Sequence, residues 1–270
     1  MSAKLGSEAW HGGWWNPTGG NINPLALTRG LARSVLAHGG RIFARSPVQG
    51  FARVGGKWVV TTEFGRVEAA SLVLATNAYT GEVAPRLAPA IAKEIVPVLS
   101  WQMATAPLGD NVRRAVLPER TAMSDTRGEL YFARLDARNR LVTGGALINP
   151  ANGARKLKSS IGDRLRRLFP GIGHVSFDYV WNGHVAMTRD GLPLLHHLGP
   201  GAYAWAGCNG RAVALSIALG REFARAIEGT PHSQLALPFT RPDPLPLHGL
   251  IRRVAPLRLL ALKRRDRCVV

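Results

Sequence analysis

The stretch "YAWAGCNGRAVALSIALGREFARAIEG", residues 203–229, constrains this 270-residue chain more than any other. An apolar run stops at Gly207, a Cys208-Asn209-Gly210 turn follows, and a long pattern of helical period begins at Arg211. Strand, glycine turn and helix in that order are the local grammar of a nucleotide-binding crossover. The turn gathers several backbone N–H groups and a helix N-terminus at one point, which carries partial positive charge. Such a point suits a phosphate, or a ring that becomes anionic when reduced. Gly207 and Gly210 permit close backbone approach. The plainer reading is a βα connection that holds no ligand, because no G-x-G-x-x-G accompanies it.

A second buried strand is legible in "SLVLATNAYT". Leu72-Val73-Leu74 is a continuous apolar run, as in strands covered on both faces, and it stops where Ala75-Thr76-Asn77 must turn. Those residues stand at a carboxyl edge, where open α/β sheets hold their ligands. Two further stretches carry candidate side chains. "HGGWWNPTGGNINP" sets Trp14 and Trp15 between glycine pairs, as a ligand wall or as core, and "WNGHVAMTRDGLP" places Trp181, His184 and Thr188 on a strand that ends in a turn. Signatures of other chemistries are absent: no phosphate-loop motif, no H-E-x-x-H, no C-x-x-C and no G-x-S-x-G. His196 and His197 are adjacent, so a strand would send them to opposite faces.

The remaining pattern is mixed. Residues 24–38 read as a helix entered at Pro24 and stopped by Gly39-Gly40, and "RIFARSPV" and "GFARV" as short strands, followed by a hairpin. From about residue 96 to 178 the period changes to that of a mostly antiparallel sheet, interrupted by one amphipathic helix over about 154–169. "TRDGLPLLHHLGPG" reads as a loop, and a proline-rich connection leads into a basic, helix-capable tail. The expected fold is therefore α+β or α/β, an α/β part built from both ends of the chain with an antiparallel sheet inserted.

A composition of 46% hydrophobic and 19% charged residues is globular. Of the net charge of +18, residues 111–170 carry +8 and residues 241–270 carry +6, whereas residues 171–240 are neutral. No helix-turn-helix, zinc-finger or RNA-binding signature accompanies the charge, so no nucleic-acid partner is expected. The tail, with Leu250, Ile251, Val254, Leu257 and Leu260 roughly on one face, fits a docked terminal helix or a peripheral contact with a membrane surface. No apolar run approaches a membrane span and no signal-peptide layout is visible, so the expected location is cytoplasmic. The two cysteines, Cys208 and Cys268, offer neither metal spacing nor a disulfide framework.

Taken in order, "GSEAWHGGWWNPTGGNINPLALTRGLA", "GRIFARSPV", "SLVLATNAYT", "YFARLDARNRLVTGG", "VWNGHVAMTRDGLPLL", "AGCNGRAVALSIALGREFARAIEG" and "PLPLHGLIRRVAPLRLLALKRRDR" resemble the FAD-dependent oxidoreductases of the D-amino-acid oxidase superfamily. The gamma-glutamylputrescine oxidoreductase branch is the nearest in pattern, with glycine oxidase and monomeric sarcosine oxidase more distant. The resemblance implies an incomplete FAD-binding Rossmann-like domain (residues 1–95 and 181–235), an inserted antiparallel substrate domain (96–180), and a proline-rich connection with a basic helix (236–270). By position it assigns FAD contacts to Val48, Ala75, Thr76 and Asn77, and to Gly207, Cys208, Asn209, Gly210, Arg211, Ala212 and Val213 around the opening turn. Tyr131, Arg134 and Trp181 would meet an amine or amino-acid substrate. The implied reaction oxidises a C–H next to nitrogen, with a hydride equivalent passing to the flavin.

Departures from the pattern sharpen these expectations. Val185 stands where glycine oxidase has a carboxylate-binding arginine, which favours amines. No lysine lies between Lys93 and Lys156, where sarcosine-oxidase-like members place one for oxygen, and Ala212 replaces a common glycine. The family's opening βαβ unit with G-x-G-x-x-G has no counterpart, so the chain is expected to be a truncated form. The alternatives are a non-catalytic remnant acting as a binding protein, or a split-enzyme subunit whose N-terminal FAD-binding half is a separate polypeptide.

Overall fold

Glycine and asparagine turns divide the chain into short elements, and the structure, a computed structural model, describes residues 2–83, 85–146 and 153–267. Cys268, and Leu147 and Ile148 of the expected third inserted strand, lie outside the described residues. The chain forms two units: residues 1–29, 99–183 and 256–270, and residues 30–98 and 184–255.

After a first turn of helix, α1 (Ser2–Leu5), comes α2 (Pro24–Ala37). Asn23 Oδ1 accepts the Ala26 N–H at 3.0 Å, an N-terminal cap just ahead of Pro24. Strands β1 (Val48–Val54), β2 (Lys57–Thr62) and β3 (Gly65–Ala69) form an antiparallel meander. Its first turn, Gly55-Gly56 at φ 56° and 82°, has the left-handed pair that a two-residue hairpin demands. "RIFARSPV" does not form the expected strand: Arg45 is left-handed at φ 54°, Ile42 and Phe43 are exposed, and pairing begins only at Val48. Next come β4 (Leu72–Leu74), a 3-10 turn over Asn77–Tyr79, and the short helices α3 (Thr80–Val83) and α4 (Pro89–Ala92).

The inserted part contains β5 (Val96–Pro107), α5 (Asp110–Ala115), β6 (Met123–Ser124), β7 (Phe132–Leu135), β8 (Arg140–Ala146), α6 (Gly153–Leu168) and β9 (Phe177–Met187). The sheet order is β6-β7-β8-β5-β9, and the first four strands pair antiparallel. Leu157, Ile161, Leu165 and Leu168 recur at helical spacing on α6 and bury with Met103, Ala133, Leu135 and Leu141 of the sheet. One expectation fails beyond this sheet. Within "TRDGLPLLHHLGPG", Leu194–Gly199 is a strand, β10, antiparallel to β11 (Ala202–Ala206). The proline and glycines mark only its ends, while Leu195 and His196 are buried between them. As the alternation of a strand requires, His196 and His197 part company: the first is buried, and the second packs on Tyr203 and His232.

The order closes with α7 (Ala212–Ile227) and α8 (His248–Arg267). Helix α7 lays Leu219, Phe223 and Ala226 into a core with Leu74, Leu195, Tyr203 and Ala204. Buried Glu222 fixes it there by accepting the Ala236 N–H at 2.8 Å and pairing with Arg225 at 3.2 Å. The proline-rich segment after it is held as well. Glu94 Oε1 accepts the Asp243 N–H at 2.8 Å, and Glu94 Oε2 lies 2.8 Å from His196 Nε2, with both side chains at most 5% exposed. In the other unit, Asp266 near the end of α8 accepts the N–H groups of Gly128 and Glu129 at 3.1 and 2.9 Å. A carboxylate in the last turn opposes the helix dipole, so a tertiary contact is what retains it among its basic neighbours.

Two outcomes follow from these anchors. Asp266→Ala is expected to speed hydrogen exchange at the Gly128 and Glu129 amides by about tenfold, measured by NMR or mass spectrometry, while α7 amides keep their protection. The Ala236 N–H, and then Arg225, hold the Glu222 carboxyl below its usual 4.5. A depressed folded value means that its stabilisation is whole above pH 4.5 and is lost as pH falls through the folded value. The melting-temperature gap between the native chain and Glu222→Gln is therefore widest at neutral pH and closes in acid.

Candidate functional site

Two turns reach one sheet edge because β4 and β11 run parallel, with Leu72, Val73 and Leu74 opposite Ala202, Tyr203 and Ala204. Both strands end on the same side, and there Asn77 Oδ1 accepts the Gly207 N–H at 3.1 Å. Asn77 itself is left-handed at φ 44°, a conformation asparagine tolerates better than most residues. The bond ties the first turn to the second across 130 residues of sequence.

The second turn is braced by Asn209. Its N–H donates to Ala186 O at 2.9 Å, its Oδ1 accepts the Thr188 N–H at 3.0 Å, and its Nδ2 donates to Gly207 O at 2.8 Å. Thr188 Oγ1 donates in turn to Leu192 O at 2.9 Å. Asp190 accepts the Leu192 N–H, which holds its carboxyl below the usual value and completes the frame. Gly207 and Gly210 are left-handed at φ 81° and 80°, and a Cβ at Gly207 would stand 2.4 Å from Thr188 Cγ2. Cys208 is buried as a free thiol. Arg211 spends its guanidinium on Gly191 O and places no side-chain cap on α7, so the first N–H groups of that helix, at Ala212 and Val213, remain donors to a ligand.

Other candidate residues stand differently. Thr76 is committed locally, its hydroxyl 2.7 Å from Thr80 Oγ1, and Ala75 is exposed beside it. Val48 is in β1, opposite Thr62, in a different sheet from β4 and β11. Trp14 is 86% exposed, so it is not core, and Lys4 lies over the half-exposed Trp15 ring at 4.6 Å. His184 packs edge-on against Tyr79 at 5.4 Å.

In the unit that carries the antiparallel sheet, Tyr131 and Arg134 are not brought together. Ala133 and Leu135 point into the core with Leu141, so alternation sends Phe132, Arg134 and Val142 to the opposite face. There the Arg134 guanidinium lies 5.2 Å from the Phe132 ring centroid, and burial lowers its pKa. It has no carboxylate partner among the described residues. Tyr131 instead packs against the core, its ring 4.2 Å from Arg164 Cζ. Trp181 is an exposed residue of β9. Sequence reasoning missed Arg164, a buried cation that donates to Gly144 O at 2.6 Å and to Thr143 Oγ1 at 3.2 Å. Its signal was an arginine within the apolar stripe Leu157-Ile161-Leu165-Leu168.

The residues that build the parallel strand pair, the two turns and the uncapped helix lie almost entirely within the span of a known family. Residues 2–226 fit the DAO family, described as FAD dependent oxidoreductase. The chain belongs to that family. Among curated members, the probable oxidoreductase OrdL of Haemophilus influenzae is 31% identical over 229 residues, which are 85% of this chain and 52% of that protein. Gamma-glutamylputrescine oxidoreductase of Escherichia coli is 28% identical over 226 residues, 84% of this chain and 52% of that protein. The chain thus spans about half the length of these relatives. Glycine oxidase from Geobacillus kaustophilus shares the fold at a TM-score of 0.63 and 20% identity, over 80% of this chain and 57% of the other. L-proline dehydrogenase from P. horikoshii does so at 0.66 and 19%, over 82% and 59%.

The turn that this member of the family presents is sterically demanding, which makes it testable. Gly207→Ala is expected to destabilise the chain by about 2–3 kcal/mol, because it adds a clash to a left-handed backbone. Gly210→Ala meets no atom within 4 Å and adds only the backbone strain, about 1 kcal/mol. Urea unfolding of the two variants measures the difference.

Proposed function

We propose that this chain supplies the flavin-edge turn and the substrate-side sheet of an FAD-dependent oxidoreductase that oxidises a C–N bond of an amine or amino acid. The observation that carries this reading is the Asn77–Gly207 hydrogen bond, which brings two strand-end turns to one edge beside the uncapped N-terminus of α7. Neither turn would be a ligand site alone. Together they offer backbone donors, glycine surface and the positive end of a helix dipole.

The chemistry that FAD supplies when bound is uptake of a hydride equivalent from the carbon beside nitrogen. The chain's own residues hold and orient. Ala75, Thr76 and Asn77, with Gly207, Cys208, Asn209 and Gly210, would line the cofactor. The N–H groups of Ala212 and Val213 would stabilise negative charge at its ring edge, and Arg211 braces that turn through Gly191 O. Val48 would contribute from β1. On the sheet, Arg134 is half-buried over Phe132 without a carboxylate partner among the described residues, so an anionic group elsewhere on an amine substrate would compensate it. Trp181 supplies exposed aromatic surface beside that role. Tyr131, packed on Arg164, supports the sheet from its core side.

A second reading concerns the pyrophosphate. No G-x-G-x-x-G occurs in the 270 residues and the relatives are about twice as long, which favours a dinucleotide-binding βαβ half supplied outside this sequence. Flavin absorbance of the purified chain, with and without such a half, tests the cofactor assignment. Once flavin is bound, Arg134→Met is expected to raise KM for a carboxylate-bearing amine by about tenfold or more and to leave a neutral amine within about twofold. An equal effect on both amines would remove Arg134 from substrate recognition.

A further inference from the structure

Helix α6 contains a glycine that its packing does not ask for. Gly162 lies inside Gly153–Leu168 and is buried, yet a Cβ added there would meet only Arg166 Nη1, at 3.8 Å. Glycine is less favourable than alanine inside a helix, and neither a left-handed backbone nor a close neighbour calls for it here. What the missing side chain leaves is space. A cavity of about 230 Å³ opens at Gly162, between α6 and the chain that enters β9.

The two walls differ in chemistry. On the helix side stand Lys158, Ser159 and Arg166, all exposed. Residues 158, 162 and 166 are four apart in succession, so the two cations flank the glycine along one side of the helix. The other wall is residues 175–177, where Val175 and Phe177 are half-buried against the core of this unit and Ser176 between them is exposed. Lys158 has no carboxylate partner among the described residues. Arg166 pairs with Asp163, but both are about half exposed, and such a pair is weak enough to exchange. The helix carries six basic residues against one acid, so the local field favours an anion.

We propose that this groove binds a phosphomonoester whose remainder is apolar. A phosphate dianion presents oxygens in several directions, and an ammonium, a guanidinium and the hydroxyls of Ser159 and Ser176 line the groove from both walls. The apolar remainder rests on Val175 and Phe177. The volume lies below the roughly 300–1,000 Å³ of sites for drug-sized ligands, so little beyond the phosphate and one small group fits inside. Helix α6 packs on the side of the sheet marked by Ala133 and Leu135, opposite the face of Arg134. The groove is therefore separate from the face proposed for the substrate, and it makes no use of flavin. A soluble ester and a phosphatidate headgroup carry the same chemistry, and the choice of probes separates them.

Calorimetric titration of the full chain with phenyl phosphate is expected to show one saturable site, and inorganic phosphate to bind about tenfold or more weakly. Lys158 is exposed, so Lys158→Gln leaves the fold intact and should weaken phenyl phosphate by about fivefold or more. Gly162→Leu, which fills the groove, should abolish binding. Arg167→Gln removes the same charge well round the helix and should stay within about twofold. Gly162→Ala should melt no lower than the native chain; a lower melting temperature would mean that packing requires the glycine, and would overturn the proposal. Vesicles of phosphatidate in phosphatidylcholine that bind through Lys158, where phenyl phosphate does not, would assign the same site to a lipid headgroup. No saturable binding of any probe would overturn the proposal. Equal affinity for phenyl phosphate and inorganic phosphate, or equal losses in Lys158→Gln and Arg167→Gln, would do so as well, leaving an adventitious ion only.

Discussion

The hydrogen bond from the Gly207 N–H to Asn77 Oδ1 is the contact on which the site depends. It exists only because β4 and β11 are parallel and in register, so that strands far apart in sequence stop at the same level. Parallel pairing has an entropic cost, since a long stretch of chain must close before the strands meet. Here the closure is compensated by a buried core of Leu74, Leu195, Tyr203, Ala204, Leu219 and Phe223, which leaves the edge free to be polar.

Much of this was visible in residue order. Leu72-Val73-Leu74 and the apolar run ending at Gly207 announced two strands, of which the second is buried throughout while Val73 of the first is exposed, and the glycines around Cys208-Asn209 announced a turn opening a helix. That Asn77 and Gly207 would bond to each other was not visible, because register between distant strands leaves no local signature. The frame made by Asn209 and Thr188 was hidden for the same reason: an asparagine before glycine reads as a turn former, and only the fold shows what else its amide can reach. Strand β10 was missed because proline and glycine at its two ends outweighed the five apolar or histidine residues between them. "RIFARSPV" erred in the other direction, its apolar residues suggesting a strand where Arg45 turns the backbone.

The sheet of the other unit shows how alternation sorts a cluster read as one. Tyr131 and Arg134 are near in sequence, and the resemblance implies that both meet the substrate. An odd spacing of three places them on opposite sides once β7 is a strand, with Ala133 and Leu135 marking the buried side. The two arginines most affected by burial, Arg134 and Arg164, are divided by the same rule. Arg164 finds backbone and hydroxyl acceptors and becomes architecture, while Arg134 keeps its charge available.

The stitches at Glu94 and His196 change how the end of the molecule is to be regarded. A run with prolines at 238, 242, 244 and 246 looks like a tether, something that could be shortened or exchanged at little cost. Yet Thr240 bridges to His196, and the Asp243 N–H satisfies a carboxylate that is otherwise sealed from water. Cutting the chain after Ala236 would open a cleft over that carboxylate and imidazole and strand both. The segment is therefore a hem rather than a leash: the sheet's last border is sewn with it.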